Sequence, residues 1–208
     1  MISTLKKLAM VGSAFAMLTA ASSALAAGPD YVRVRSINFA GSGCPGGSVA
    51  TNVSPDRQAF TLLFDQYIAE VGPGVSPREK RKNCVVNVDL DFPQGWTYTL
   101  FTVDYRGYLD LAHSMVGTQQ TSYYFQGSSA TARLASTISG PVARDYQIRD
   151  NLAITSLVWS PCGASRSLNM NTEVRIDNSR NSRGQGIMTL DSIDGQLKHI
   201  YGIQWRRC

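Results

Sequence analysis

The sequence predicts an all-β chain: an antiparallel two-sheet β-sandwich, with the jelly roll among its arrangements, held by two disulfides. Three observations lead there. Apolar and polar residues alternate with a period of two along most of the chain, as expected of strands with one buried face, and convincing amphipathic helices are missing. Turn-forming clusters such as GPG, FPQG, SGP, SPCG and DG punctuate those runs at spacings that suit antiparallel connections. The four cysteines, Cys44, Cys84, Cys162 and Cys208, are an even number in a chain that opens like an exported one.

The opening residues set the compartment. Lys6 and Lys7 precede an apolar stretch from Leu8 to Ala21, and Ala24-Leu25-Ala26 has the small-x-small pattern of a signal peptidase site. Residues 1–26 are therefore read as a signal peptide and 27–208 as a single secreted β-sandwich domain, with no linker or repeat dividing it. The apolar stretch is shorter than the roughly 20 residues a bilayer span requires, and no second one follows, so no transmembrane segment is expected. The protein is expected to be secreted or periplasmic. Its formal charge of +5 includes the two lysines of the signal, leaving a mildly basic domain with no case for a nucleic-acid partner.

Cysteine spacing argues against metal. No CxxC pair occurs, and neither His113 nor His199 lies at a ligand-like interval from a cysteine. Of the three possible disulfide connectivities, nearest-neighbour pairing (Cys44 with Cys84, Cys162 with Cys208) needs no crossing of chain halves. Each such bridge would close a loop worth about 4 kcal/mol on the chain-entropy model.

Taken in order, AFTLLFDQY alternates Phe60, Leu62 and Phe64. NCVVNVDLDF sets Cys84, Val86, Val88, Leu90 and Phe92 on one face and Asn87, Asp89 and Asp91 on the other. WTYTLFTVDY opposes Trp96, Tyr98 and Leu100 to Phe101, Val103 and Tyr105. SLNMNTEVRID aligns Leu168, Met170, Val174 and Ile176, and LKHIYGIQW aligns Leu197, Tyr201, Ile203 and Trp205. SPREKRKNC packs Arg78, Lys80, Arg81 and Lys82 just before the best of these strands. It is either a solvated loop that keeps a sheet edge soluble or a patch for an anionic polysaccharide or lipid headgroup.

The motifs of the sequence point to no catalytic residue, cofactor or metal. GSGCPG matches a dinucleotide fingerprint in form, but prolines follow where a helix must begin. No GxSxG, HExxH or P-loop occurs, and DNSRNSRGQG departs from a calcium loop at Ser182 and Met188, which leaves it as a hairpin loop. His113, beside Ser114, and His199 are as compatible with ordinary surface or core positions as with acid–base work. Asp89 and Asp91 share a strand face, as glycosidase carboxylates or as a plain solvent face.

The aromatic segments YRGY and SYYFQG stand out. Tyr105, Arg106, Tyr108, Tyr123 and Tyr124 are the candidate ligand-binding residues, with Gly107 and Gly127 read as turn formers and one of Tyr123 and Tyr124 pointing outward. Tyrosines beside an arginine can stack on sugar rings or anchor a protein surface; they can equally cap a core.

GCPGGS (43–48), FDQY (64–67), GPG (72–74), RKNC (81–84), YRGY (105–108), YYFQG (123–127), WSPCG (159–163), LNMNT (168–172) and QWRRC (204–208) occur in this order. The set, covering nearly the whole mature chain, resembles the secreted proteins grouped as domain of unknown function family 4360. The resemblance implies a small exported single-domain protein with no established activity. It also implies that RKNC is a signature around a bridging cysteine, and so part of the architecture. The expected function is a non-catalytic binding or cell-exterior module, whose partner is an extracellular carbohydrate or a surface protein. The alternatives are a secreted polysaccharide hydrolase and a self-associating structural protein. Nothing in the sequence indicates an oligomeric state.

Overall fold

The structure, a computed structural model, describes residues 29–31, 33–53, 55, 59–100, 102–151, 158–162, 166–196 and 203–208. The signal peptide expected at 1–26, and Leu197, His199 and Tyr201, lie outside them. Every regular element among the described residues is a strand. In chain order these are β1 (Arg33–Ala40), β2 (Val49–Val53), β3 (Ala59–Phe64), β4 (Ile68–Val71), β5 (Arg81–Asp91), β6 (Trp96–Leu100), β7 (Thr102–Leu111), β8 (Val116–Phe125), β9 (Thr131–Ser139), β10 (Val142–Asn151), β11 (Leu168–Asp177), β12 (Gly186–Thr189), β13 (Ser192–Gln196) and β14 (Ile203–Arg207).

They form a sandwich. One sheet has the order β1-β5-β11-β8-β9. In the other, β10 lines one edge of β7, while β12 and β13 follow one another along its opposite edge and connect outward to β4 and to β3 and β2. β6 and β14 make a separate two-stranded ribbon. All pairings are antiparallel.

Alternation decides which side chains fill the space between the sheets. Val86, Val88 and Leu90 of β5 and Leu168, Met170, Val174 and Ile176 of β11 meet Phe60, Leu62, Val103, Leu109 and Leu111 of the second sheet in one continuous apolar core. Polar bridges cross it as well: Tyr67 donates its hydroxyl to the Thr172 carbonyl at 2.7 Å.

The cysteines pair as nearest neighbours, Cys44 with Cys84 and Cys162 with Cys208, at Cα separations of 5.6 and 5.8 Å. The first bridge ties the loop after β1 to the core side of β5, and both its cysteines are buried. The second joins the chain end to the segment before β11. There Arg206 lies over the Trp159 ring, Arg207 over the Trp96 ring, and the Cys208 amide donates to the Gly95 carbonyl.

Two local expectations need correction. The loop after β11 is not a hairpin loop but a crossover, because β11 belongs to the first sheet and β12 to the second. Gly107 forms no turn; it lies mid-strand in β7, facing inward, where Tyr146 of β10 crosses over it to reach the Thr189 carbonyl. Gly127, by contrast, is a turn residue with φ +78°. Two of the four cations of the basic run, those that open β5, are paired: Lys82 with Glu79 at 2.6 Å, and Arg81, whose Nε donates to Glu173 at 2.7 Å. That pairing favours the architectural reading of the cluster over an anion patch. Asp89 and Asp91 likewise face Arg35 of β1 at 3.5 and 3.4 Å, the geometry of a cross-strand ion pair on a solvent face.

Candidate functional site

The five aromatic-segment residues do not form one surface. β7 and β8 are consecutive in sequence but lie in opposite sheets, so their inward residues meet across the core and their outward residues face away from each other. Tyr105 and Tyr123 point inward, fully buried, with their hydroxyls 2.7 Å apart. Tyr124 is half-buried on the outer face of the first sheet. Arg106 and Tyr108 are exposed on the outer face of the second. The patch expected from all five is thus reduced to Arg106 and Tyr108, because a strand offers only every other residue to solvent.

That outer face of β7 presents Asp104, Arg106, Tyr108 and Asp110, and strand register brings them new neighbours. Asp104 lies opposite Arg149 of β10, which binds it through two hydrogen bonds of 2.7 and 2.8 Å. Arg106 lies opposite Gln147, and Tyr108 opposite Asp145. On the other side, the Thr189 Oγ1 accepts from the Tyr108 amide at 2.9 Å and holds the strand beneath the ring. Tyr108 is 36% exposed and Leu63, two strands away on the same sheet, is 50% exposed.

At the end of this face β4, β12 and β7 run side by side, and one register row reads Glu70, Ile187, Asp110. The two carboxylate residues flank Ile187 with their Cα atoms two strand spacings apart, about 10 Å. A cavity of about 510 Å³ opens there, lined by Glu70, Val71, Pro73, Asp110, Gln185 and Ile187. Among the described residues neither Glu70 nor Asp110 makes an ion pair. The site thus combines an exposed ring, a groove and several hydrogen-bonding side chains along one face of the second sheet. Asp110 is legible from the alternation of DYRGYLDL. Glu70 and Ile187 are not, because only the pairing of distant strands sets them beside it.

Beneath the face lies a polar chain in the core. Tyr105 meets Tyr123, and Tyr123 donates to Asp150 at 2.5 Å. Burial pushes both tyrosines well above their ordinary pKa. It also raises the Asp150 carboxyl from 3.8 to about 6, opposed by the Tyr123 hydrogen bond.

Among the described residues, no group of three or more metal-ligating side chains occurs and no helix is long and apolar enough to cross a membrane.

Fold, disulfides and site define an exported, disulfide-bridged β-sandwich. The chain belongs to the family described as "Domain of unknown function (DUF4360)", whose model matches residues 30–208. An uncharacterized secreted protein of Arthroderma benhamiae is 44% identical over 181 residues, 86% of this chain and 73% of that one. Solved structures overlap loosely. One is TmCBM61 in complex with β-1,4-galactotriose, at 9% identity and a TM-score of 0.32, covering 79% of this chain and 90% of that one. Another is the enzymatically active domain of bacteriophage CBA120 tailspike protein 4, at 14% identity and a TM-score of 0.32, covering 77% and 19%. Neither overlap is close enough to pair residues, and what those proteins bind or cleave belongs to them.

Proposed function

We propose that the protein, released from a signal peptide at 1–26, is a binding module of the cell exterior. Its ligand is a carbohydrate chain lying on the outer face of the second sheet, from Tyr108 into the groove between Glu70 and Asp110. The observation that carries this reading is the coincidence of an exposed tyrosine with a groove flanked by two carboxylates on the strands either side of β12. A sugar offers an apolar ring face and a fringe of hydroxyls. A tyrosine ring takes the first, while carboxylate and amide groups accept from and donate to the second. Arg106, two residues before Tyr108 on the same face of β7, adds a planar donor set.

Immobilised polysaccharides, titrated with wild type and with Tyr108→Ala, test the proposal. The variant should lose about tenfold in affinity, roughly 1.4 kcal/mol, with an unchanged melt. Equal binding by both proteins would overturn it. The same carboxylates would serve the alternative of a polysaccharide hydrolase. New reducing ends that disappear in Asp110→Asn would establish that reading instead.

A further inference from the structure

The turn joining β7 to β8, Ala112 to Met115, is built around a backbone conformation that side chains ordinarily avoid. Ser114 has φ +64° and is the one non-glycine residue with positive φ among the described residues. Left-handed backbone costs a residue bearing Cβ about 1 kcal/mol, and such outliers concentrate where function requires a fixed side chain. Here the side chain is directed at a base: the Ser114 Oγ lies 2.6 Å from the His113 Nδ1. With the imidazole proton on Nε2, Nδ1 accepts the serine proton.

The turn is fastened on every side. The Met115 amide donates to the Ala112 carbonyl, and the Gly140 amide donates to the Met115 carbonyl. Met115, the residue that follows the serine, is buried to 0% exposure and anchors the turn. From the crossover loop, Asn181 donates its amide to the His113 carbonyl at 2.9 Å, and its Oδ1 accepts from the Gly184 amide at 3.0 Å.

The pair opens onto a second cavity, about 440 Å³, whose walls include Ser139, Asp177, Ser179 and Arg180. The Ser179 amide donates to the Asp177 carboxylate at 2.9 Å and holds it below the usual carboxylate range. Arg180 is the cation available to a charge developing in the cavity. Consecutive residues line the two cavities, Ala112 the groove beside Asp110 and His113 this one.

We propose that Ser114 and His113 are a nucleophile–base pair that removes acyl esters from a carbohydrate held in the neighbouring groove. The Ser114 Oγ attacks the ester carbonyl carbon while its proton passes to the His113 Nδ1. The bond from that carbon to the sugar oxygen breaks, and the sugar hydroxyl leaves with the proton from Nδ1. Water then adds to the acyl-serine, loses a proton through the same nitrogen, and releases the carboxylic acid with Ser114 restored. Arg180 offsets the negative charge on the carbonyl oxygen in both halves. The choice of a carbohydrate ester rests on the binding reading above; the nucleophile–base pair does not.

Four measurements test it: labelling by a fluorophosphonate followed by peptide mapping, hydrolysis of 4-nitrophenyl acetate, and binding and acetate release with acetylated xylan. Wild type should be labelled on Ser114 and hydrolyse both esters. Ser114→Gly, whose glycine suits the left-handed backbone and so keeps the melt, should lose the label and at least about a hundredfold of the rate. His113→Gln should lose about a hundredfold. An unlabelled Ser114, or Ser114→Gly as fast as wild type on 4-nitrophenyl acetate, overturns the pair. If Ser114 is labelled and active on the small ester while the xylan is neither bound nor deacetylated, the pair stands and the carbohydrate substrate is overturned. If the xylan is bound with no ester cleaved and no label, binding stands and the pair falls.

Discussion

Tyr123 of β8 donates its hydroxyl proton to the Asp150 carboxylate of β10 at 2.5 Å, across the interior of the sandwich. Tyr105 approaches the same hydroxyl at 2.7 Å, so two sheets are joined by a chain of oxygens in the core. A carboxylate removed from water favours its neutral form, and burial is the leading cause of the raised Asp150 pKa.

This relationship makes stability depend on pH. Asp150 releases its proton at about 6 in the folded chain and at an ordinary 3.8 when unfolded, so between those values the folded state binds more protons. Its contribution is therefore most favourable below the unfolded value and is lost as pH rises through the folded one. Acidifying from about pH 7 to about pH 4 should raise the wild-type Tm relative to that of Asp150→Asn by a few degrees. Parallel Tm profiles of the two proteins would contradict this.

Tyr105 and Tyr108 should respond oppositely to truncation although they are three residues apart. Tyr105→Ala removes a fully buried ring and one end of the polar chain, and should cost about 3–5 kcal/mol in denaturant unfolding. Tyr108→Ala removes an exposed ring and should stay within about 0.5 kcal/mol. Similar losses for the two would refute the assignment of faces.

Gly107 should tolerate no side chain. A Cβ there would stand 2.2 Å from the Thr189 carbonyl oxygen and 2.8 Å from the Tyr146 hydroxyl. Gly107→Ala must push apart β7 and the end of β12 or displace Tyr146, and should destabilise by about 2 kcal/mol or more. Tyr146→Phe should partly relieve Gly107→Ala by removing one of the two clashing oxygens, which a double-mutant cycle will detect.

The terminal disulfide should hold β14 in place. Among the described residues that strand pairs only with β6, in a ribbon outside both main sheets. Replacing Cys162 and Cys208 together by serine opens a bridge spanning 46 residues and should lower stability by about 4 kcal/mol on the chain-entropy model. Amide exchange should then rise first at Gln204 to Arg207. Protection unchanged there would show that pairing with β6 suffices.

What the sequence determined by itself is local. Alternation in NCVVNVDLDF placed Cys84, Val86, Val88 and Leu90 on one face, and all four are buried. The same pattern sorted SLNMNTEVRID and AFTLLFDQY, because a side chain's direction along a strand follows from a period of two and needs no knowledge of the partner strand. Which surface a residue joins depends on partners far along the chain, and that was decided only by tertiary structure. Tyr105 and Tyr123 looked like parts of one patch until β7 and β8 fell into opposite sheets. Glu70, Ile187 and Asp110 became neighbours only through the pairing of β4, β12 and β7. Gly107 looked like a turn because a glycine's permissiveness is visible in sequence, whereas the tyrosine that crosses it comes from β10. Register between strands is set by how two whole faces bury their apolar sides together, a property of no single segment.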